Sequence, residues 1–260
     1  GNDFNMTWLK MILLSVIQGI SEFLPISSSG HLVIVESLLE IKADQTDVNI
    51  VLHAGTLLSI LIFYHRTIFR LLSQDLRVIP LMIVGTLPVV VIGLLAKKYA
   101  EHLLESPLLA GCMLPVTGLF LLLIPHIPQK DRSYTQITYK QALFVGLVQA
   151  IAILPGISRS GSTIVAGLFA GMSRQSAATF SFLLAIPAIS GATILETAEI
   201  ISNQHISTPL SLLAVGALIS AIVGLASLWL LVRWLEKGKL HYFAYWCIPL
   251  GIIIVIMQLI

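Results

Sequence analysis

The chain has 260 residues, 57% of them hydrophobic and 11% charged, with a formal net charge of +2. Its mean hydropathy is +0.93. Soluble domains carry about 25% charged residues, so this composition excludes a soluble globular protein and a disordered one, and so small a net charge leaves no electrostatic footprint for nucleic acid. The apolar residues come in long runs rather than in alternation, which predicts an all-α polytopic membrane protein. Cys112 and Cys247 both lie in apolar runs without metal-ligand spacing, so they read as buried packing residues rather than a disulfide.

The chain opens with a short polar segment, Gly1 to Asn5, before Met6. Met11 to Ile20 has the apolar character of a signal-peptide core, but no small-residue cleavage pattern follows and Glu22 and Pro25 interrupt it. It is expected to belong to the mature fold. The region 6–36 is apolar but broken at its centre by Pro, Gly and Ser. Spans follow at 48–64, 78–96 and 107–127. A second broken region, 141–172, precedes spans at 179–197, 208–232 and 242–260. Each half of a broken region is too short to cross a hydrocarbon core of about 30 Å at about 1.5 Å per residue. Two re-entrant helix pairs fit better, since broken backbone at membrane depth needs protein or a water-filled cavity around it.

Loop charge tests this arrangement. With both broken regions re-entrant, the loops 65–77, 128–140, 173–178 and 233–241 form one set. It holds ten basic residues: Arg66, Arg70, Arg77, Lys130, Arg132, Lys140, Arg174, Arg233, Lys237 and Lys239. The other set is the N-terminus, 36–47, 97–106 and 196–207, with three: Lys42, Lys97 and Lys98. The positive-inside rule makes the first set cytoplasmic and leaves both termini on the outer face. Glu196 and Glu199 read as an exposed span end.

The two broken regions resemble each other. LPISSSGHLVI (24–34) aligns with LPGISRSGSTI (154–164) after one inserted glycine. Ile26, Ser27, Ser29 and Gly30 then match Ile157, Ser158, Ser160 and Gly161, Ser28 matches Arg159, and His31 matches Ser162. Three spans follow each copy, an odd number, so the second copy is inverted relative to the first. One membrane domain, 1–260, built from inverted repeats at about 6–127 and 137–260, is the expected plan.

The breaks carry the chemistry. Gln18 and Glu22 are four apart and share a helix face. Ser27, Ser28 and Ser29 are suited to capping the next helix, whose free N–H groups attract anions, above all phosphate. Ser158, Arg159, Ser160 and Gly161 supply a second such N-terminus with a guanidinium whose planar fork matches phosphate oxygens. Serines in membranes also serve as packing and carbonyl-bonding residues. Ionisable groups at membrane depth are costly and functional by default, and Glu22, His31, His53 and Arg159 are the main such groups here. Glu22, Ser28, His31 and Arg159 are therefore the catalytic candidates. Ser27, Ser29, Gly30, Ser158, Ser160, Gly161 and Gln18 are candidates for binding substrate. Glu22 is also the candidate metal ligand, since hard divalent cations prefer oxygen. Ser28 lies three residues before His31, so the two side chains can face one cavity. Attack by Ser28, by His31 or by water all remain open.

The breaks resemble the undecaprenyl-pyrophosphate phosphatase family, bacterial proteins linked to bacitracin resistance. QGISEFLPISSSGH (Gln18 to His31) is similar to its first signature, Glu/Gln-xxx-Glu leading into a PxSSSGH-like stretch. PGISRSGST (Pro155 to Thr163) is similar to its second, and FSFLLAIP (Phe180 to Pro187) also looks like the family. Gln18 stands at a position where the family has Glu or Gln. The resemblance implies hydrolysis of undecaprenyl pyrophosphate to the monophosphate, the carrier lipid of cell-wall precursors, with release of phosphate. It implies a divalent cation, Mg²⁺ or Ca²⁺, and a site open to the outer face of the bacterial inner membrane. The partners it implies are the pyrophosphate lipid, the bilayer and a second copy in a homodimer, with bacitracin competing for the substrate rather than binding the protein. The competing expectation is a polyprenyl-phosphate flippase or secondary transporter, because inverted repeats with broken helices are also the transporter plan. The broader acid-phosphatase superfamily fits less well. SSGH is present at 28–31, but no Lys-x6-Arg-Pro motif precedes it and no later His–Asp pair completes that site.

Overall fold

A computed structural model describes residues 6–41, 46–203 and 208–260. Gly1 to Asn5, Lys42 and the Glu199 side chain, named above, lie outside the described residues. Eleven α-helices occur among them: α1 (Trp8–Ser21), α2 (Ser28–Leu38), α3 (Thr46–Phe63), α4 (His65–Ser73), α5 (Val78–Leu104), α6 (Pro107–Leu123), α7 (Tyr139–Ile151), α8 (Arg159–Phe169), α9 (Arg174–Asn203), α10 (Leu210–Glu236) and α11 (Ala244–Leu259). No strand is present among the described residues beyond one isolated bridge between Arg132 and Met172.

Five helical segments are long and apolar enough to span a bilayer: Val78–Leu104, Pro107–His126, Arg174–Ala198, Leu210–Glu236 and Leu240–Leu259. The sixth expected span is α3, which meets α4 at a bend of 70°. The segment 65–77, expected as a loop, is thus partly helical. In α4, Phe69 and Leu72 are exposed beside Arg66 and Arg70, the pattern of a helix lying in the membrane interface. The two regions expected to be re-entrant each form two short helices, of 14 and 11 residues (α1, α2) and of 13 and 11 residues (α7, α8).

Helix association in lipid relies on close packing and interhelical hydrogen bonds, because lipid tails are as apolar as leucine. Here α6 packs on α11, α3 on α10 and α9, α1 on α10, and α7 on α5. Glycines set these approaches. A Cβ on Gly118 would collide with Ile248, one on Gly251 with the Gly111 carbonyl, and one on Gly146 with the backbone of Gly85. Between α3 and α10, Ser59 Oγ donates to the Ala221 carbonyl and Ser220 Oγ to that of Leu52, both at 2.8 Å. Of the two cysteines, Cys247 is buried as expected. Cys112, expected to be buried, is exposed on α6; both are free.

The four basic loops meet at one end of the bundle. Arg77 Nη2 donates to the Ile137 carbonyl at 3.5 Å, the Ser173 amide to the Arg132 carbonyl at 3.0 Å, and Arg174 Nη1 to the Glu236 carbonyl at 3.4 Å. In the other set of loops, Asp47 at the end of 36–47 accepts through its Oδ2 from the amide of Thr208, which directly follows 196–207, at 2.9 Å.

Candidate functional site

Both breaks are built alike. Ser27 caps α2, its Oγ accepting from the Gly30 amide at 3.2 Å, and Ser158 caps α8, its Oγ accepting from the Gly161 amide at 3.1 Å. Each cap hydroxyl also lies near the serine two residues on, at 3.4 Å for Ser27 and Ser29 and 3.2 Å for Ser158 and Ser160. These caps satisfy one donor of each helix N-terminus and leave the neighbouring N–H groups to face the break.

The breaks touch each other. The Gly156 amide donates to Ser27 Oγ at 3.1 Å, and a Cβ on Gly30 would lie 2.8 Å from Gly156 Cα. Gly156 has φ +93°, open to glycine but strained for other residues. Thr117 on α6 fixes this loop: its hydroxyl donates to the Gly156 carbonyl at 2.7 Å and accepts from the Ser158 amide at 2.9 Å. Ser27 itself has φ +72°, a left-handed conformation costing about 1–3 kcal/mol at a non-glycine residue. Such strain persists only where surrounding bonds over-determine it.

A cavity of about 290 Å³ opens beside this junction. Glu22, Ser28, Ser29, His53, Gln149, Ser158, Arg159, Thr193 and Glu196 supply its polar wall, and Val89, Ile153, Ala188, Ile189 and Ala192 most of its apolar wall. Glu22 is the hub. Its Oε1 accepts from Arg159 Nη2 at 2.8 Å, and its Oε2 from Ser28 Oγ at 2.7 Å and from Gln18 Nε2 at 3.2 Å. His53 Nε2 stands 3.9 Å from the same Oε2, while its Nδ1 faces the Asn49 carbonyl at 2.8 Å. Three atoms at this centre are buried without a hydrogen-bond partner among the described residues: Gln18 Oε1, Gln149 Oε1 and Arg159 Nη1. Buried polar groups are normally satisfied; two of these atoms, Gln149 Oε1 and Arg159 Nη1, belong to residues that line the cavity.

Of the expected catalytic residues, Glu22, Ser28 and Arg159 come together. His31 is not among the residues that line this cavity with Ser28. Its Nδ1 lies 2.8 Å from the Ser27 carbonyl and its Nε2 accepts from Trp246 Nε1 at 3.0 Å, so the ring is turned towards α11. Ser29 and Ser158 line the cavity. Ser27, Gly30, Ser160 and Gly161 build the junction behind it, and Gln18 stands behind Glu22. Two residues gain importance. Glu196, expected at an exposed span end, lines the cavity because α9 continues past it. His53 also lines the cavity; its position near the start of an apolar span was the only sequence signal for it. Gln149, which precedes the second break much as Gln18 precedes the first, also lines the cavity.

Comparison with known proteins shows which family the chain resembles. Residues 11–253 match the model of the family described as bacitracin resistance protein BacA. The chain is 48% identical to an undecaprenyl-diphosphatase of Rhodopirellula baltica over 96% of this chain and 98% of that protein. It is 42% identical to an undecaprenyl-diphosphatase of Desulfatibacillum aliphaticivorans, over 95% and 97% respectively. It is 40% identical to undecaprenyl-diphosphatase 4 of Bacillus thuringiensis, over 97% and 98%.

Proposed function

The chain belongs to the bacitracin resistance protein BacA family, and from that premise we propose that it is a membrane hydrolase cleaving undecaprenyl pyrophosphate to undecaprenyl phosphate and inorganic phosphate. The observation that carries the mechanism is the Ser28 hydroxyl donating to Glu22 at 2.7 Å, with Arg159 on the other carboxylate oxygen at 2.8 Å. A hydroxyl is a poor nucleophile until a base takes its proton. Glu22 takes it as Ser28 Oγ attacks the terminal phosphorus. The bond from that phosphorus to the bridging oxygen breaks, and the lipid monophosphate leaves. Water then displaces Ser28 Oγ, which regains its proton from Glu22, and phosphate departs. Arg159 and the N-termini of α2 and α8 hold the phosphoryl oxygens, since positioning and charge stabilisation supply most of the catalysis in phosphoryl transfer. A pure transporter has no use for a hydroxyl poised on a carboxylate beside a guanidinium, which favours the enzyme over the flippase.

The residues present fit a divalent cation. The cavity wall carries two carboxylates, Glu22 and Glu196, oxygen donors of the kind hard divalent cations prefer. Gln18 Oε1 is a buried oxygen with no hydrogen-bond partner among the described residues, on the side chain that bonds Glu22. Mg²⁺ is commonly held by one or two carboxylates together with substrate phosphates. Glu22 and Gln18 would hold Mg²⁺ or Ca²⁺ here, and the ion would neutralise phosphate charge. Purified protein in detergent should release phosphate from undecaprenyl pyrophosphate, lose at least about 90% of that activity in EDTA, and regain it with Mg²⁺ or Ca²⁺. Full activity in EDTA would remove the cation from the scheme; absence of phosphate release under all conditions would favour the transporter.

The same proposal includes an inverted repeat and an outward-opening site in the bacterial inner membrane. The matching caps of α2 and α8 support the repeat, as do the matching pairs α1 with α10 and α7 with α5. The gathering of basic loops at one end of the bundle supports a cytoplasmic face there. Thr193 and Glu196, towards the opposite end of α9, line the cavity and support an outer opening. With Cys112 and Cys247 replaced by serine, Ser37→Cys should label with an impermeant thiol reagent in intact cells, and Asp131→Cys only after lysis. The reverse pattern would overturn the orientation.

A further inference from the structure

Ser27 is one of two non-glycine residues with positive φ among the described residues, and it immediately precedes Ser28. Besides the contact of its Oγ with Ser29 Oγ at 3.4 Å, four hydrogen bonds hold it. Its Oγ accepts from the amides of Gly30 at 3.2 Å and Gly156 at 3.1 Å. Its carbonyl accepts from the His31 amide at 3.1 Å and faces His31 Nδ1 at 2.8 Å. A carbonyl only accepts, so Nδ1 carries the proton. In the neutral ring Nε2 then has a lone pair. Trp246 Nε1–H, which only donates, meets that lone pair at 3.0 Å, with the two rings nearly parallel at 11°. Both partners therefore select the same tautomer, and neither nitrogen is left for Ser28, whose hydroxyl is bonded to Glu22 instead.

We propose that Trp246 and His31 are a positioning pair: Trp246 fixes the His31 ring, His31 clamps the Ser27 carbonyl, and the clamped backbone aims Ser28 at the phosphorus. His31 carries no proton in the reaction. This rests on Ser28 being the nucleophile. Trp246 belongs to α11 and Ser27 to the turn before α2, so the pair also couples the second half of the chain to the nucleophile of the first.

The substitution His31→Asn separates positioning from proton transfer. An asparagine amide nitrogen sits near the place of Nδ1, so it keeps the donor to Ser27 and cannot act as a base. With undecaprenyl pyrophosphate in detergent, His31→Asn should keep kcat within about tenfold of the parent, whereas His31→Ala should lose about 100-fold or more. Trp246→Phe retains an aromatic ring but removes the N–H. It should lower kcat about tenfold with KM unchanged within about twofold, and it should add less than about twofold in the His31→Asn background. A His31→Asn protein as inactive as His31→Ala would make His31 a base and overturn the proposal, as would Trp246→Phe with parental kcat. Ser28→Ala, assayed in parallel, tests the premise separately. If it retains turnover, the nucleophile is misassigned and the pair has no Ser28 to aim. If it is inactive, the Trp246 and His31 results judge the pair alone.

Discussion

Replacing Ser28 with alanine is expected to lower kcat by about 10³-fold or more while substrate binding is partly kept. The size follows from removing the attacking atom while Arg159 and the α2 and α8 N-termini remain to bind phosphate. Glu22→Gln should have a comparable effect, because a base held at 2.7 Å from the hydroxyl is replaced by an amide that takes no proton. Rapid quenching of the parent enzyme with substrate labelled at the terminal phosphate should trap label on Ser28, and neither variant should show it. Ser27→Ala should reduce turnover less, since the cap hydroxyl shapes the junction without touching the reacting phosphorus. Substantial turnover by a folded Ser28→Ala protein would make Ser28 a binding residue and leave a water, activated by Glu22, as the attacker.

The legible parts of the molecule were those governed by local pattern. The apolar runs and the two broken regions follow from run length and from Pro, Gly and Ser placement: five of the expected spans lie in helices long and apolar enough to cross a membrane, while α3 bends into α4, and α5 and α9 run on into the expected loops 97–106 and 196–207. Both caps are readable because a serine before a glycine three residues on is a local arrangement, and the hydrogen bonds of Ser27 and Ser158 are local. The pairing of Gln18 with Glu22 follows from helix period alone. What failed to be legible depends on how distant segments pack. Nothing near His31 in sequence announces Trp246, 215 residues away, so the contact of its ring with α11 is not readable from spacing. The fate of Glu196 turned on the length of α9, and apolar run length places a helix end poorly when the helix continues into polar residues. The α4 helix was hidden because its charges mimic a loop, although they lie on one face.

Arg159→Lys is expected to fail as an enzyme while remaining folded. Arg159 and Glu22 are a mostly buried pair, with side chains 17% and 5% exposed, and breaking such a pair by removing one partner costs about 3–5 kcal/mol. Lysine retains the positive charge opposite Glu22, so the pair and the fold should survive. What lysine lacks is the fork. Arg159 Nη2 is committed to Glu22 at 2.8 Å, whereas Nη1 has no partner among the described residues. One guanidinium can therefore hold the carboxylate with one nitrogen and a phosphate oxygen with another, keeping base and phosphorus in fixed relation. An ammonium concentrates its donors at one atom and cannot span the two with the same geometry. Loss of one such donor to developing charge typically costs about 10²–10³-fold in turnover, and Arg159→Lys should fall in that range or below. Arg159→Ala should lose as much activity and stability as well, read as earlier thermal aggregation in detergent. Near-parental turnover by Arg159→Lys would show that a single positive charge suffices at this position. The Nη1 group would then lose its assignment as the phosphate donor, and the helix N-termini would have to carry the developing charge.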